Sequence, residues 1–189
     1  MLSISLGDRR KRRVSPLYLL AALVCACADA HSRTAEAPHS HVINDHKIRV
    51  GDTLSAVTVD CNGTRRIVGR PGSVQLVTFS TKGDCTACLP HLAGLEQVLE
   101  RRALAIETFH VTYASNAELA SVREAYRAIT HRAVCVDEHA TLWDKYNISH
   151  TPVTVLLRSG EVVYMHDMPL VSDAAQKTFE ADLRALGAL

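Results

Sequence analysis

Two cysteines three residues apart, Cys85 and Cys88, stand where an apolar, β-branched run gives way to an amphipathic one, in the stretch TFSTKGDCTACLPHLAGLEQVLERR. Upstream, SVQLVTF (73–79) suits a buried strand and is bounded by Pro71-Gly72 on one side and Lys82-Gly83 on the other. Downstream, Leu92, Leu95, Val98 and Leu99 recur at helical spacing, while Glu96, Glu100, Arg101 and Arg102 supply a wet face. Pro90 has no N–H and costs little in the first turns of a helix but a hydrogen bond deeper in, which helps place the helix start at or just before the cysteines.

The remaining segments extend this strand and helix pattern in both directions. Apolar alternation over 54–68 flanks Asn62-Gly63, the pair best suited to the positive φ angles of a tight hairpin. Residues 105–113 alternate as a strand does, and Ser115 and Glu118 then form an S-x-x-E capping pattern that opens a helix to about Ile129. The sequence predicts a strand over 132–136, a helix over 138–146 and a strand over 153–157. After a Ser159-Gly160 turn come a strand over 161–165 and a closing helix over 172–186, with Ser172 as N-cap. Strands alternating with helices imply parallel pairing through right-handed crossovers, and the closing hairpin adds antiparallel strands. The expected fold is therefore α/β: a mixed central sheet with helices on both faces and an N-terminal β-hairpin. In such sheets chemistry gathers at the carboxyl ends of the parallel strands, which is where Cys85 and Cys88 fall.

With 189 residues the chain is expected to hold about one domain. Its formal charge is +1, and the one concentrated basic run, RRKRR (9–13), lies near the N-terminus, so nothing reads as a nucleic-acid footprint. That basic run, the apolar stretch 14–26 and the small residues CACADA (25–30) have the layout of a secretory signal too short to span a membrane comfortably. Residues 1–30 are accordingly expected to be a signal peptide or lipoprotein signal, 31–49 a His-containing linker and 50–189 the domain. Two cleavage patterns compete: Ala28-Asp29-Ala30 would release a chain beginning at His31, whereas VCAC would make Cys27 a lipid anchor. Either predicts an exported protein of a bacterial periplasm or cell envelope. Outside the cytosol disulfides persist. Cys61 and Cys135 could then bond to each other or remain two half-buried thiols.

A helix N-terminus stabilises a thiolate, and the thiolate is the attacking species. Cys85 is expected to be the more exposed thiol, and Cys88, a turn into the helix, to close a disulfide beneath it. A zinc site would want more ligands than His91, the one nearby candidate, which is expected on the surface. Haem attachment would need His where Leu89 stands. No cofactor or resident metal is expected. In ISHTPVTVLLRSGEVVY (148–164), Pro152 stands just ahead of a strand, a place that can hold a cis X-Pro bond and leave the Thr151 backbone facing outward. Trp143, Tyr146 and Ile148 lead into this loop as expected core, with Trp143 placed to line a substrate face.

With these features the chain resembles the thioredoxin-like redoxins, the TlpA-like thiol-disulfide oxidoreductases and the related AhpC/TSA group, over about 50–186. The resemblance is carried by LVTFSTKGDCTACLPHLAGLE, VCVDEHATLWDKYNISHTPVTVLLRSGEVVY and GDTLSAVTVDCNGTRRIV. It implies a thioredoxin-like fold in which Cys85 is the nucleophile, Cys88 the resolving thiol and Pro152 the cis-proline, with Thr151 and the neighbouring His150 meeting substrate. The implied partners are protein thiols or disulfides and a membrane-bound or soluble redox partner. The chain departs from the pattern at Asp84, where the family carries Trp, and at Thr78, where thioredoxins bury an acid. Asp84 would raise the Cys85 pKa, Lys82 would offset that, and the base is left unnamed. Two rival functions share the frame. A thiol peroxidase would want a hydroxyl where Lys82 stands, and a copper-binding metallochaperone would pair the cysteines with His150.

Overall fold

A computed structural model describes residues 46–81, 85–102, 106–115 and 117–188. The expected signal, Cys27, most of the linker, and Lys82 to Asp84 lie outside these residues. The hairpin forms as its turn requires: β1 (Val57–Cys61) and β2 (Thr64–Val68) pair antiparallel, with φ of 56° at Asn62 and 83° at Gly63. Asp60 Oδ1 accepts the Gly63 N–H at 3.0 Å and holds the turn shut.

Then follow β3 (Val74–Phe79), α1 (Cys88–Arg101), β4 (Glu107–Thr112), α2 (Leu119–Arg127) and β5 (Ala133–Val136). The chain continues through α3 (Thr141–Tyr146), β6 (Val153–Arg158), β7 (Glu161–His166) and α4 (Asp173–Ala185). The strands make one seven-stranded sheet in the order β2-β1-β5-β4-β3-β6-β7. β3, β4 and β5 run parallel, whereas the hairpin and the β6–β7 pair join antiparallel. This is the expected mixed sheet.

Alternation along the strands divides the core between the two faces. Val77, Phe79, Phe109, Val111, Val153 and Val155 point one way, toward Leu142 and Tyr146 of α3 and toward Ile48 and Leu54. Leu76, Leu156 and Tyr164 point the other way, under Leu95, Val98 and Leu99 of α1 and Phe179 and Leu183 of α4. α2 packs beside α1 through Val122 and Tyr126 over Val134 and Val136. His46 and Ile48, on the linker side of the boundary drawn at Val50, are both buried.

Cap chemistry shifts two boundaries and sets a third where expected. Glu118 accepts from the N–H and hydroxyl of Ser115 and is itself the residue before α2, so the helix begins later than the capping pattern suggests. α3 starts at Thr141 rather than 138, because Ala140 takes a left-handed conformation (φ 51°) and Asp137 turns its carboxylate onto the helix start. α4 begins after Ser172, whose Oγ accepts the Ala175 N–H at 3.2 Å, as expected.

The seam between hairpin and core is short: β1 meets β5 at Asp60↔Val136 and Cys61↔Cys135. At the second pair the sulfurs are bonded. Of the two readings open from sequence, paired disulfide and inert thiols, the structure has the disulfide.

Candidate functional site

Cys85 lies just before α1, Ala87 is the helix N-cap and Cys88 the first helical residue. The Cys88 N–H points back to the Cys85 carbonyl at 3.3 Å, which folds the intervening Thr86-Ala87 into a turn. The sulfurs form a disulfide, with Cα atoms 5.4 Å apart. No acidic residue stands in the first turn of α1 to oppose the positive end of its dipole. Pro90, third in the helix, occupies a position whose N–H would have no partner inside it. Cys88 is wholly buried, whereas Cys85 is partly exposed. Cys85 is thus the more exposed of the two sulfurs, as expected.

The proline loop meets the pair from β6. The Thr151-Pro152 bond is cis. Cys85 Sγ lies 3.1 Å from the Thr151 carbonyl oxygen, and Thr151 Oγ1 lies 3.3 Å from Thr81 Oγ1 at the end of β3. Thr81, Trp143, Ile148, Ser149, His150 and Thr151 surround Cys85 in a cleft of about 280 Å³. Trp143 stands edge-on to Phe79, with centroids 5.3 Å apart, so one side of the indole is anchored in the core while the ring still reaches the cleft. His150 is exposed, its Nδ1 3.1 Å from Ser149 Oγ. Behind it the buried His46 ring packs edge-on at 6.5 Å, with Nε2 3.6 Å from Asp167 Oδ2. Burial pushes the His46 pKa down; Asp167 opposes that and leaves it below the ordinary range. Every expected site residue, Cys85, Cys88, His150, Thr151 and Pro152, therefore comes to one place.

Beneath the pair, sequence reasoning misplaced two residues. His91, expected on the surface, is fully buried. It stands three residues after Cys88 and one before Leu92, which puts it on the inward stripe of α1 rather than its wet face. That spacing was the available signal. Its Nδ1 accepts the Leu170 N–H at 3.2 Å, its Nε2 lies 3.0 Å from Thr154 Oγ1, and Thr154 Oγ1 lies 3.0 Å from Thr78 Oγ1. Burial, with His166 and His110 nearby, pushes the His91 pKa down to about 3. Glu96, assigned to the wet face, is buried as well, with Oε1 2.9 Å from His110 Nε2 and Oε2 accepting from Arg132 Nε at 3.0 Å. Burial would raise its pKa, but the bonds from His110 and Thr130 and the nearby Arg132 charge hold it below the ordinary carboxylate range. Beneath the pair, then, a hydroxyl, Thr78, is linked through Thr154 to a buried imidazole.

No family model matches the chain, and no curated protein matches it. Solved structures do. The chain is 17% identical to a Chlorobium tepidum protein assigned as a thiol:disulfide interchange protein, DsbE, with a TM-score of 0.61 over 75% of this chain and 98% of that one. It is 17% identical to a secreted Mycobacterium tuberculosis disulfide oxidoreductase homologous to E. coli DsbE, with a TM-score of 0.51 over 69% of this chain and 95% of that one. A peroxiredoxin-like protein from Aquifex aeolicus is 16% identical, with a TM-score of 0.50 over 71% of this chain and 88% of that one. The fold is thioredoxin-like.

Proposed function

We propose that this thioredoxin-like domain is an exported thiol-disulfide oxidoreductase that exchanges disulfides with protein partners through Cys85 and Cys88. One observation carries the reading: a partly exposed sulfur, bonded to a buried one at a helix start, sits 3.1 Å from the carbonyl of a cis-proline loop. A thiolate at Cys85 attacks a partner disulfide, the partner's leaving sulfur departs with the electron pair, and a mixed disulfide remains. Cys88, as thiolate, then attacks Cys85 Sγ; the Cys85–partner bond breaks and the second partner sulfur leaves reduced while the pair is oxidised. The reverse sequence oxidises a partner dithiol. Thr151 would hold the partner's extended backbone, and His150 and Trp143 would meet the side chains flanking its cysteine.

Export is supported by the signal-like layout of residues 1–30 and by the buried Cys61–Cys135 disulfide, a bond that persists in oxidising compartments. In this reading residues 31–49 link a signal or a Cys27 lipid anchor to the domain. Among the described residues no helix is long and apolar enough to cross a membrane. The name of the Mycobacterium tuberculosis neighbour, a secreted disulfide oxidoreductase, points the same way. The peroxiredoxin-like neighbour keeps peroxide reduction as the second reading.

The test is a trap. Purified Cys88→Ser, mixed with an extract of exported proteins, should accumulate covalent partners that a thiol reductant releases. A variant that captures none, alongside a wild type that consumes hydrogen peroxide with a thiol donor, would replace the exchange reading with the peroxidase one.

A further inference from the structure

Three segments meet at His91, one turn beyond Cys88: the first turns of α1, the start of β6 after Pro152, and the loop from β7 to α4. One buried side chain is bonded to the second and third while belonging to the first. The Leu170 N–H can only donate, so His91 Nδ1 must accept it, and the ring proton therefore sits on Nε2 and is donated to Thr154 Oγ1. The Thr154 hydroxyl then has its own proton left for Thr78 Oγ1, 3.0 Å away on β3. Direction along the whole chain is set by a backbone amide.

The loop is seated firmly on this face of α1. Leu170 O comes so close to the helix that a Cβ at Gly94 would lie 1.9 Å from it, and Gln176 Nε2 donates to the same oxygen at 3.2 Å. Thr154 is two residues beyond the cis-proline, and His91 is one helical turn beyond Cys88. A shift of α1 along β6 would move the resolving sulfur relative to the loop that cradles Cys85.

We propose that His91 is a positioning residue for the resolving step, a neutral clamp that fixes Cys88 in line with the Cys85 sulfur by tying α1 to β6 and to the β7–α4 loop. The inference rests on the exchange reading and deepens it. First attack uses the partly exposed Cys85 and a partner that can adjust its own approach. Resolution is intramolecular: Cys88 must displace the partner's sulfur from Cys85 along one line, from a buried position with no freedom to search. Geometry held by the scaffold matters most at such a step. A leucine would fill the volume but make neither bond, whereas a glutamine carries an amide N–H for Thr154 and a carbonyl oxygen for Leu170. The strong preference of His91 for its neutral form keeps both bonds in place across the range in which thiols titrate.

The experiment follows the reduced full-length protein reacting with oxidised glutathione, quenched by acid and resolved by mass. It reads glutathionylated Cys85 forming and then disappearing as the Cys85–Cys88 bond closes. His91→Leu should form the mixed disulfide at close to the wild-type rate and resolve it about tenfold to a hundredfold more slowly. His91→Gln should recover most of that rate with an unchanged pH profile. Should His91→Leu fail to fold, Thr154→Val, which removes one of the two anchors, should slow resolution in the same direction. Wild-type resolution in whichever of His91→Leu and Thr154→Val is folded overturns the proposal. So does a His91→Gln protein as slow as His91→Leu, or one whose pH profile moves, because a titrating base would then be indicated. A wild type that exchanges with glutathione while Cys88→Ser traps no protein would sink the protein-partner reading and leave this measurement intact.

Discussion

Asp137, outside the Cys85 cleft, holds the start of α3, from which Trp143 reaches into it. Its two carboxylate oxygens accept the N–H groups of Thr141, Leu142 and Trp143 at 2.9, 2.7 and 3.2 Å, which satisfies the start of α3 and aims Trp143 at Cys85. Asp137→Ala should therefore lower unfolding stability by about 2 kcal/mol, from three orphaned amides next to the core. Urea titration checks that loss. In exchange kinetics the same variant should raise the KM for a peptide disulfide more than it lowers kcat, since the wall is displaced and the sulfurs are not. An unchanged KM would separate Trp143 from partner binding.

Helices, strands and their connections carry two further expectations. Gly94 sits where α1 and the Leu170 carbonyl touch, so Gly94→Ala gains helix propensity but forces the loop off the helix. A net loss of about 1 to 2 kcal/mol should result, because overpacking outweighs the propensity gain. Calorimetry would show it, and a more stable protein would contradict the contact. The Cys61–Cys135 bond spans 74 residues of sequence and pins the hairpin to the core across a seam of two residue pairs. Cys61→Ala/Cys135→Ala should cost about 4 kcal/mol by loop entropy while leaving exchange at Cys85 intact below the melting temperature. These elements also mark what could be read in advance. Asn62-Gly63, the buried β3 and the cysteines at the start of α1 were legible because turn chemistry and periodicity are local. The pairing of β1 with β5 was not, since partners so far apart in sequence leave no periodic trace, and with it the choice between thiols and disulfide stayed open. His91 and Glu96 failed for a different reason: polar residues on the inner stripe of a helix read as surface until their partners on other strands are known.

For the molecule as a whole, acid is the expected weakness. His91 has a folded pKa near 3 against an unfolded 6.5, so below 6.5 the unfolded chain binds a proton that the native one refuses. Its contribution is fully present above pH 6.5 and is lost as pH falls toward 3, at about 1.4 kcal/mol per pH unit inside that window. His46, also shifted down by burial, acts in the same direction. Glu96, held low by His110, Thr130 and Arg132, adds a loss below the ordinary carboxylate range. Thermal midpoints should thus fall steadily from pH 7 to pH 4, and His91→Gln should flatten the upper part of that slope; equal slopes would mean that the imidazole does not stay neutral. One last consequence comes from Trp143, the single tryptophan of the chain, which shares a cleft with Cys85. An excited indole beside a disulfide can hand it an electron and go dark, whereas beside two thiols it keeps its emission. Brightness at one wavelength then becomes a label-free gauge of how far the pair has been reduced, and titrating it against thiol buffers would give the pair's reduction potential.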